Sequence, residues 1–417
     1  MSFTFSLSNF RSYAFLIPYF VMIMTGLLLP SDGNHGIMTP KSLSFLGSIF
    51  FFIVHLVTRD KISLYQAKVL SFSIFFGSFL LIWLFLGLDD DQTNHSAPFG
   101  QFKIFVITLS FVIMTLYIAN ELIRPESIIK MMILTNFAYS VIKLFLIILN
   151  ILNIINLFAI MEMLDMRFMS MEMASGFSRF QTSVDIATPF FILFVLQSDR
   201  LNLKFTTGFK YAYCLISAIS IIFSFSRFLM GVAFLSGILF VATLNKTKIL
   251  RAFFIILAFL ALFVCLVGFD LVSTMIERRF FSNDNYYSDL TRTQQIDALI
   301  EQFFKAPYFG MGLGGYVKDF IRDPGILYSY EVQWVAFLMQ FGIFGLGLLL
   351  IPVGFICSQF LNFPFSRVRI SFLCLFLVFL LSGFTNPFLI SLASGIVYSI
   401  FLLAATILNR DERGFVA

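Results

Sequence analysis

Uninterrupted apolar runs of about 18 to 25 residues recur along almost the whole chain, each long enough to cross a hydrocarbon layer about 30 Å thick. The stretch from Ala252 to Gly268 carries no polar side chain at all. Backbone inside such a run has no water to bond to and must satisfy its N–H and C=O groups within the segment. Helices are therefore required, and a barrel of short alternating strands is excluded. Composition agrees, since 59% hydrophobic residues, 12% charged residues and a mean hydropathy of +0.92 describe a chain whose bulk solvent is lipid.

Helices are expected near residues 13–30, 42–58, 68–88, 103–121, 130–153, 184–198, 210–224, 228–244, 252–270, 333–357, 370–385 and 388–408. The fold class is all-α: a polytopic membrane protein of twelve transmembrane helices in one transmembrane domain over residues 1–417. The first run, Tyr13 to Leu29, lacks a small-residue cleavage pattern and is expected to remain as the first helix. With the N-terminus in the cytoplasm, 16 of the 28 basic residues fall in inside segments, among them Arg59, Lys61, Arg200, Lys246, Lys248 and Arg410. The short outside loops hold little beyond Lys41 and Lys103, and one contains Asp89-Asp90-Asp91. This asymmetry places both termini inside. It also accounts for the net charge of +5 as a topology signal, so no nucleic acid partner is implied. The four cysteines all lie in apolar runs and read as small buried side chains.

One connection is far longer than a turn requires. Residues 271–332, between the ninth and tenth helices, form a large outer loop, and long loops of this kind carry function. Within it Ile296, Leu299, Ile300, Phe303 and Phe304 repeat at helical spacing between polar residues, which predicts an amphipathic helix lying in the interface or packed over the bundle. Pro307 ends it, and Gly310-Met311-Gly312-Leu313-Gly314-Gly315 forms a permissive turn. A nucleotide site is excluded there, because the strand before and helix start after that such a site needs are missing. The glycines instead serve loop turning, or close backbone packing against a substrate or a neighbouring helix.

Charged residues on the outer side are the candidates for chemistry. Arg227 stands in Phe223-Ser224-Phe225-Ser226-Arg227-Phe228, where one helix gives way to the next without a loop. It either snorkels to lipid headgroups or binds phosphate, for which a guanidinium fork is well suited. Arg179 occupies a second Phe-Ser-Arg-Phe tetrad, Phe177 to Phe180. Glu331 opens the tenth helix, where a favourable interaction with the helix dipole and a catalytic role are both open. Lys143 falls near the middle of the fifth helix, where an ammonium needs a partner or a water-filled cavity, yet no acidic partner is evident at matching depth. Substrate contact and structural pairing both remain open for it. The three histidines, His35, His55 and His95, are scattered, and no spacing suggests a metal cage.

The order of these elements resembles the bacterial O-antigen polymerase and O-antigen ligase superfamily over about the last 250 residues. The parts are the Ser224-Phe225-Ser226-Arg227 corner and Arg292, which leads a helix into Lys305-Ala306-Pro307-Tyr308-Phe309-Gly310-Met311-Gly312-Leu313-Gly314. Glu331 follows, before Gly342-Ile343-Phe344-Gly345, and then Gly383-Phe384-Thr385-Asn386-Pro387. The ligase branch places a histidine, commonly followed by Asn, at the spacing where this chain has Glu331-Val332. The 271–332 loop has no histidine, and a glutamate at this place is familiar in the polymerase branch.

The resemblance implies a glycosyl transfer at the periplasmic face of the bacterial inner membrane. A glycan would leave undecaprenyl pyrophosphate and join the sugar of another lipid-linked repeat unit, with no nucleotide sugar, metal or other cofactor. The partners implied are undecaprenyl-pyrophosphate-linked oligosaccharides and membrane lipids, with a chain-length-regulating membrane protein as a further candidate. Residue chemistry and resemblance together nominate Glu331 as general base, with Arg227 and Arg292 as catalytic, and Arg179, Arg279, Asn386, Gly312 and Lys143 as substrate-binding. Ligase activity is the second reading and a lipid-linked-oligosaccharide flippase or transporter the third. A transporter would place polar residues and broken helices at corresponding midplane positions of two repeats, whereas here only Lys143 is deep.

Overall fold

The computed structural model describes residues 7–29, 40–58, 62–89, 96–119, 121–163, 172–174, 177–244, 273, 277, 284–361 and 365–413. The helix expected at 252–270 and the candidate Arg279 lie outside the described residues. In chain order the helices are α1 (Leu7–Leu28), α2 (Pro40–Val57), α3 (Leu64–Asp89), α4 (Ser96–Ile118), α5 (Pro125–Ile151), α6 (Leu157–Met163), α7 (Thr188–Leu196), α8 (Thr207–Phe223) and α9 (Arg227–Ala242). They continue with α10 (Asp284–Phe303), α11 (Gln333–Leu361), α12 (Arg367–Leu381) and α13 (Leu392–Arg413). β1 (Glu172–Ala174) and β2 (Phe177–Ser178) pair as a short antiparallel ribbon.

The protein is an all-α polytopic membrane protein. Among the described residues, seven helices are long and apolar enough to cross a membrane, and the shorter helical stretches Phe15–Leu28, Thr207–Phe223 and Arg227–Ala242 are also apolar. The hydropathy pattern located them well, with one correction. The expected span 184–198 is a 3₁₀ turn, Ser183–Ile186, followed by α7 of nine residues. Nine residues rise about 14 Å, too little to cross the hydrocarbon. Thr188 through Val195 are all buried, so this segment is apolar because protein surrounds it on every side.

The chain divides into two compact units. The first comprises residues 1–67, 114–276 and 406–417. In it α1 packs on α2 and α5, while α7 packs on α8 and α9. Tyr19 and Thr115 share a buried hydrogen bond of 2.8 Å, and His55 sits among the rings of Phe15 and Tyr117.

The second unit comprises residues 68–113 and 277–405. Its organising feature is a break in α11. Gly342 has φ +63° and ψ −174°, a conformation only glycine visits readily, and the helical ladder is interrupted there. The backbone groups this releases are taken by the glycine-rich turn. Ile343 and Phe344 N–H donate to Pro307 O (3.0 Å) and Tyr308 O (3.1 Å), while Met339 O and Gln340 O accept from Met311 N–H (3.1 Å) and Gly312 N–H (2.9 Å). Trp83 of α3 clamps the junction from the side, its Nε1 donating to Phe309 O (2.8 Å) and Phe341 O (3.1 Å).

Above this junction α10 packs on α11 through Leu299 and Phe303, which share a buried cluster with Tyr330, Val332, Ala336 and Met339. The amphipathic helix thus packs on α11. Of its five expected apolar positions, Ile296 and Phe304 remain exposed.

Candidate active site

Two groups of the nominated residues are assembled, one in each unit. In the first unit α8 ends at Phe223, and Phe225 adopts a left-handed φ of +47° that turns the chain in place of a loop. Ser226 caps α9, its hydroxyl accepting from Leu229 N–H at 3.5 Å, and Arg227 is the first residue of that helix, half-buried. The second tetrad comes to the same corner. Phe180 N–H donates to Phe223 O (3.1 Å), and Arg179 Nε donates to Ser224 O (3.1 Å) while its Nη2 bonds Gln181. The tetrads, distant in sequence, therefore adjoin through backbone contacts.

Lys143 lies beneath Phe180, whose ring centroid is 5.5 Å from Nζ. The structure supplies the acidic partner that hydropathy did not reveal. Nζ donates to both oxygens of Asp185 (2.8 and 2.9 Å) and to Ser220 O (3.0 Å), so all three ammonium protons are used. Asp185 also caps the 3₁₀ turn, accepting from Thr182 N–H (2.8 Å), and accepts from Tyr139 OH (3.1 Å). Both side chains are almost wholly enclosed, at 1% and 0% exposure. This geometry supports the structural alternative for Lys143: it ties α5, the 179–186 segment and α8 together.

The second unit carries the cluster around Glu331. Arg292 projects from α10, its Nε donating to Glu331 Oε2 (2.7 Å) and its Nη1 to the exposed Asp289 (2.6 Å). Arg322, from the irregular stretch before α11, pairs with Glu331 Oε1. Gln295, one turn along α10 from Arg292, accepts from Glu331 N–H at 3.1 Å and is wholly buried, with its Nε2 unpartnered among the described residues. The side chains of Arg292, Glu331 and Arg322 are 21%, 17% and 25% exposed, so the cluster borders solvent on a buried floor. Among the described residues no N–H of α11 donates to the Glu331 carboxylate, whose oxygens face the two arginines.

The stretch carrying Arg322 is folded onto this floor. Phe320 and Val317 join the α10–α11 cluster, and Tyr330 OH accepts from Val317 N–H at 2.8 Å. Burial pushes the Tyr330 phenol up to about 12, only partly offset by that hydrogen bond, so the phenol is neutral at physiological pH.

Other nominated residues have different settings. A Cβ on Gly312 would lie 2.0 Å from Gly87 N, so this glycine serves close packing of the turn against α3. Gly314 N–H likewise donates to Gln101 Oε1 of α4 at 2.6 Å. Asn386 sits in the turn after α12, its N–H on Ser382 O (2.7 Å) and its Nδ2 on Thr385 Oγ1 (2.9 Å). That turn is tied to the start of α11 by Leu389 N–H on Gln333 Oε1 (2.7 Å). Among the described residues no three His, Cys, Asp or Glu side chains gather as a metal cage would require.

Chemically, a carboxylate flanked by two guanidinium groups offers an acceptor for a hydroxyl proton beside donors for an anionic leaving group. Residues 212–350 match the family model described as O-antigen ligase. That part of the chain is similar to the O-antigen ligase family. The match spans about a third of the chain and supports the O-antigen polymerase and ligase superfamily, whose members are glycosyltransferase-like enzymes acting on lipid-linked glycans in a membrane. Arg227, Arg292, Arg322 and Glu331 all lie inside the matched residues 212–350, and Lys143, Arg179 and Asn386 outside them. No curated protein and no solved structure matches the chain.

Sequence reasoning missed Asp185, Gln295 and Arg322. Gln295 had a visible signal, a polar position between the apolar residues of α10. Arg322 had none, since the stretch around it has no period.

Proposed function

We propose that the protein is an O-antigen polymerase, joining undecaprenyl-pyrophosphate-linked repeat units at the periplasmic face of the inner membrane. The observation that carries the reading is Glu331, set between Arg292 and Arg322 in a loop without histidine. Glu331 takes the proton of the acceptor hydroxyl as that oxygen attacks the anomeric carbon of the donor glycan. The bond from that carbon to the pyrophosphate oxygen breaks, and its electron pair leaves on the lipid pyrophosphate. Guanidinium groups stabilise the charge developing there. Arg292 has this role in the second unit, and the Arg179 and Arg227 corner of the first unit is a further phosphate-binding candidate.

Glu331→Gln keeps the size of the side chain and one of its two acceptor oxygens while removing the base. In cells expressing it at wild-type level, the surface-polysaccharide ladder should collapse to a single repeat unit on the lipid core. A normal ladder would remove Glu331 from the mechanism. The ligase reading is favoured by the description of the matching family model. It predicts that deleting the gene removes every unit from the core, whereas loss of a polymerase leaves one.

A further inference from the structure

Resting on the polymerase reading, the geometry points to a competition built into the Glu331 cluster. We propose that Arg322 is a second donor-binding residue beside Arg292, and that Glu331 holds both guanidinium groups until the pyrophosphate of the lipid-linked donor displaces it.

Each oxygen of Glu331 faces a different arginine, Oε2 the Nε edge of Arg292 and Oε1 a terminal nitrogen of Arg322. These are the edges that a phosphate oxygen would use, since guanidinium groups present planar forks of donors. The remaining guanidinium nitrogens of Arg322 have no partner among the described residues. Among the described residues those of Arg292 reach only Asp289, which is 67% exposed and therefore a weak competitor. A pyrophosphate carries more charge and more acceptor oxygens than one carboxylate, so it outcompetes Glu331 for the pair. The buried Nε2 of Gln295, unpartnered among the described residues, leaves one more donor in this cluster for an oxygen-rich ligand.

Displacement has a mechanistic consequence. While both arginines hold it, the carboxylate is oriented toward them and away from an acceptor hydroxyl. Donor binding releases it, so the base becomes available only when a leaving group is in place. The sequence of events is donor first, then acceptor deprotonation. The anchoring of the 316–330 stretch by Tyr330 and Phe320 keeps Arg322 over the cluster in both states.

The competition makes a prediction opposite in sign to that of a merely orienting glutamate. The full-length chain in detergent is titrated with inorganic pyrophosphate by calorimetry, comparing wild type with Glu331→Gln, Arg322→Ala and Arg322→Lys. Glu331→Gln removes the competing charge and should bind about tenfold tighter, and Arg322→Ala about tenfold weaker, each equivalent to about 1.4 kcal/mol. Arg322→Lys should fall between, because a point charge replaces a fork. If Glu331→Gln binds equally or more weakly, Glu331 only positions the arginines and the competition is overturned. Unchanged binding by Arg322→Ala removes Arg322 from the donor site. Should the Gln variant fail to elute as a single folded species, the two Arg322 variants still decide that point. A tighter Gln variant with an intact ladder in cells would leave the competition standing and remove Glu331 as the base, whereas loss of every unit on gene deletion would sink the polymerase reading alone. A lost ladder with weaker pyrophosphate binding would keep Glu331 as the base and overturn the competition.

Discussion

Replacing Lys143 by methionine keeps an unbranched side chain one atom shorter and deletes three hydrogen bonds, two to Asp185 and one to Ser220 O. Asp185 keeps Thr182 N–H and Tyr139 OH as donors but loses its counter-charge at 0% exposure. Removing one partner of a buried ion pair costs about 3–5 kcal/mol, because the other charge stays desolvated. Against a total stability of about 5–15 kcal/mol this is a large fraction. Lys143→Met should therefore lower the thermal midpoint of the detergent-solubilised protein and the yield of folded chain. The double variant Lys143→Met with Asp185→Asn should recover most of the loss, since a neutral pair no longer carries the uncompensated charge. The assay is thermal unfolding followed by fluorescence-detected size exclusion, with the polysaccharide ladder measured at matched folded protein. The reasoning fails if the single variant is as stable as wild type but makes no polymer, because Lys143 would then act on substrate. It fails also if the double variant is less stable than the single.

Gly342→Ala places a Cβ 2.3 Å from Tyr308 O in a backbone region that L-residues avoid, so it should cost about 3 kcal/mol or more and abolish folded expression on size exclusion. Tyr330→Phe strands the Val317 N–H and should cost about 1 kcal/mol in thermal stability, with shortened polymer because Arg322 is held by the same stretch. Wild-type stability and polymer length would disprove this. Arg227→Lys retains the charge but not the fork, and under the phosphate-binding reading it should lose most polymer at normal expression. Full-length polymer from the lysine variant would favour headgroup snorkelling, which either cation can do.

The sequence by itself determined where the helices run. Backbone hydrogen bonds cannot be left unmet in lipid, so each span is coded by a local run of apolar residues that needs no knowledge of its neighbours. The same locality failed at 184–198, since an apolar run enclosed by protein reads like one enclosed by lipid and only the packing of α7 against α8 and α9 separates them. Glu331, Arg292 and the Arg227 corner were legible because they sit at element boundaries marked by glycine, proline and apolar period. Their partners were not. Lys143 and Asp185 are brought together by the packing of α5 against a capped turn, and Arg322 reaches Glu331 through a stretch with no repeat to read. A charge pair is set by distance in space, which sequence separation does not encode. The tertiary structure alone decided that Lys143 is paired within the first unit and that the carboxylate of Glu331 lies between two arginines.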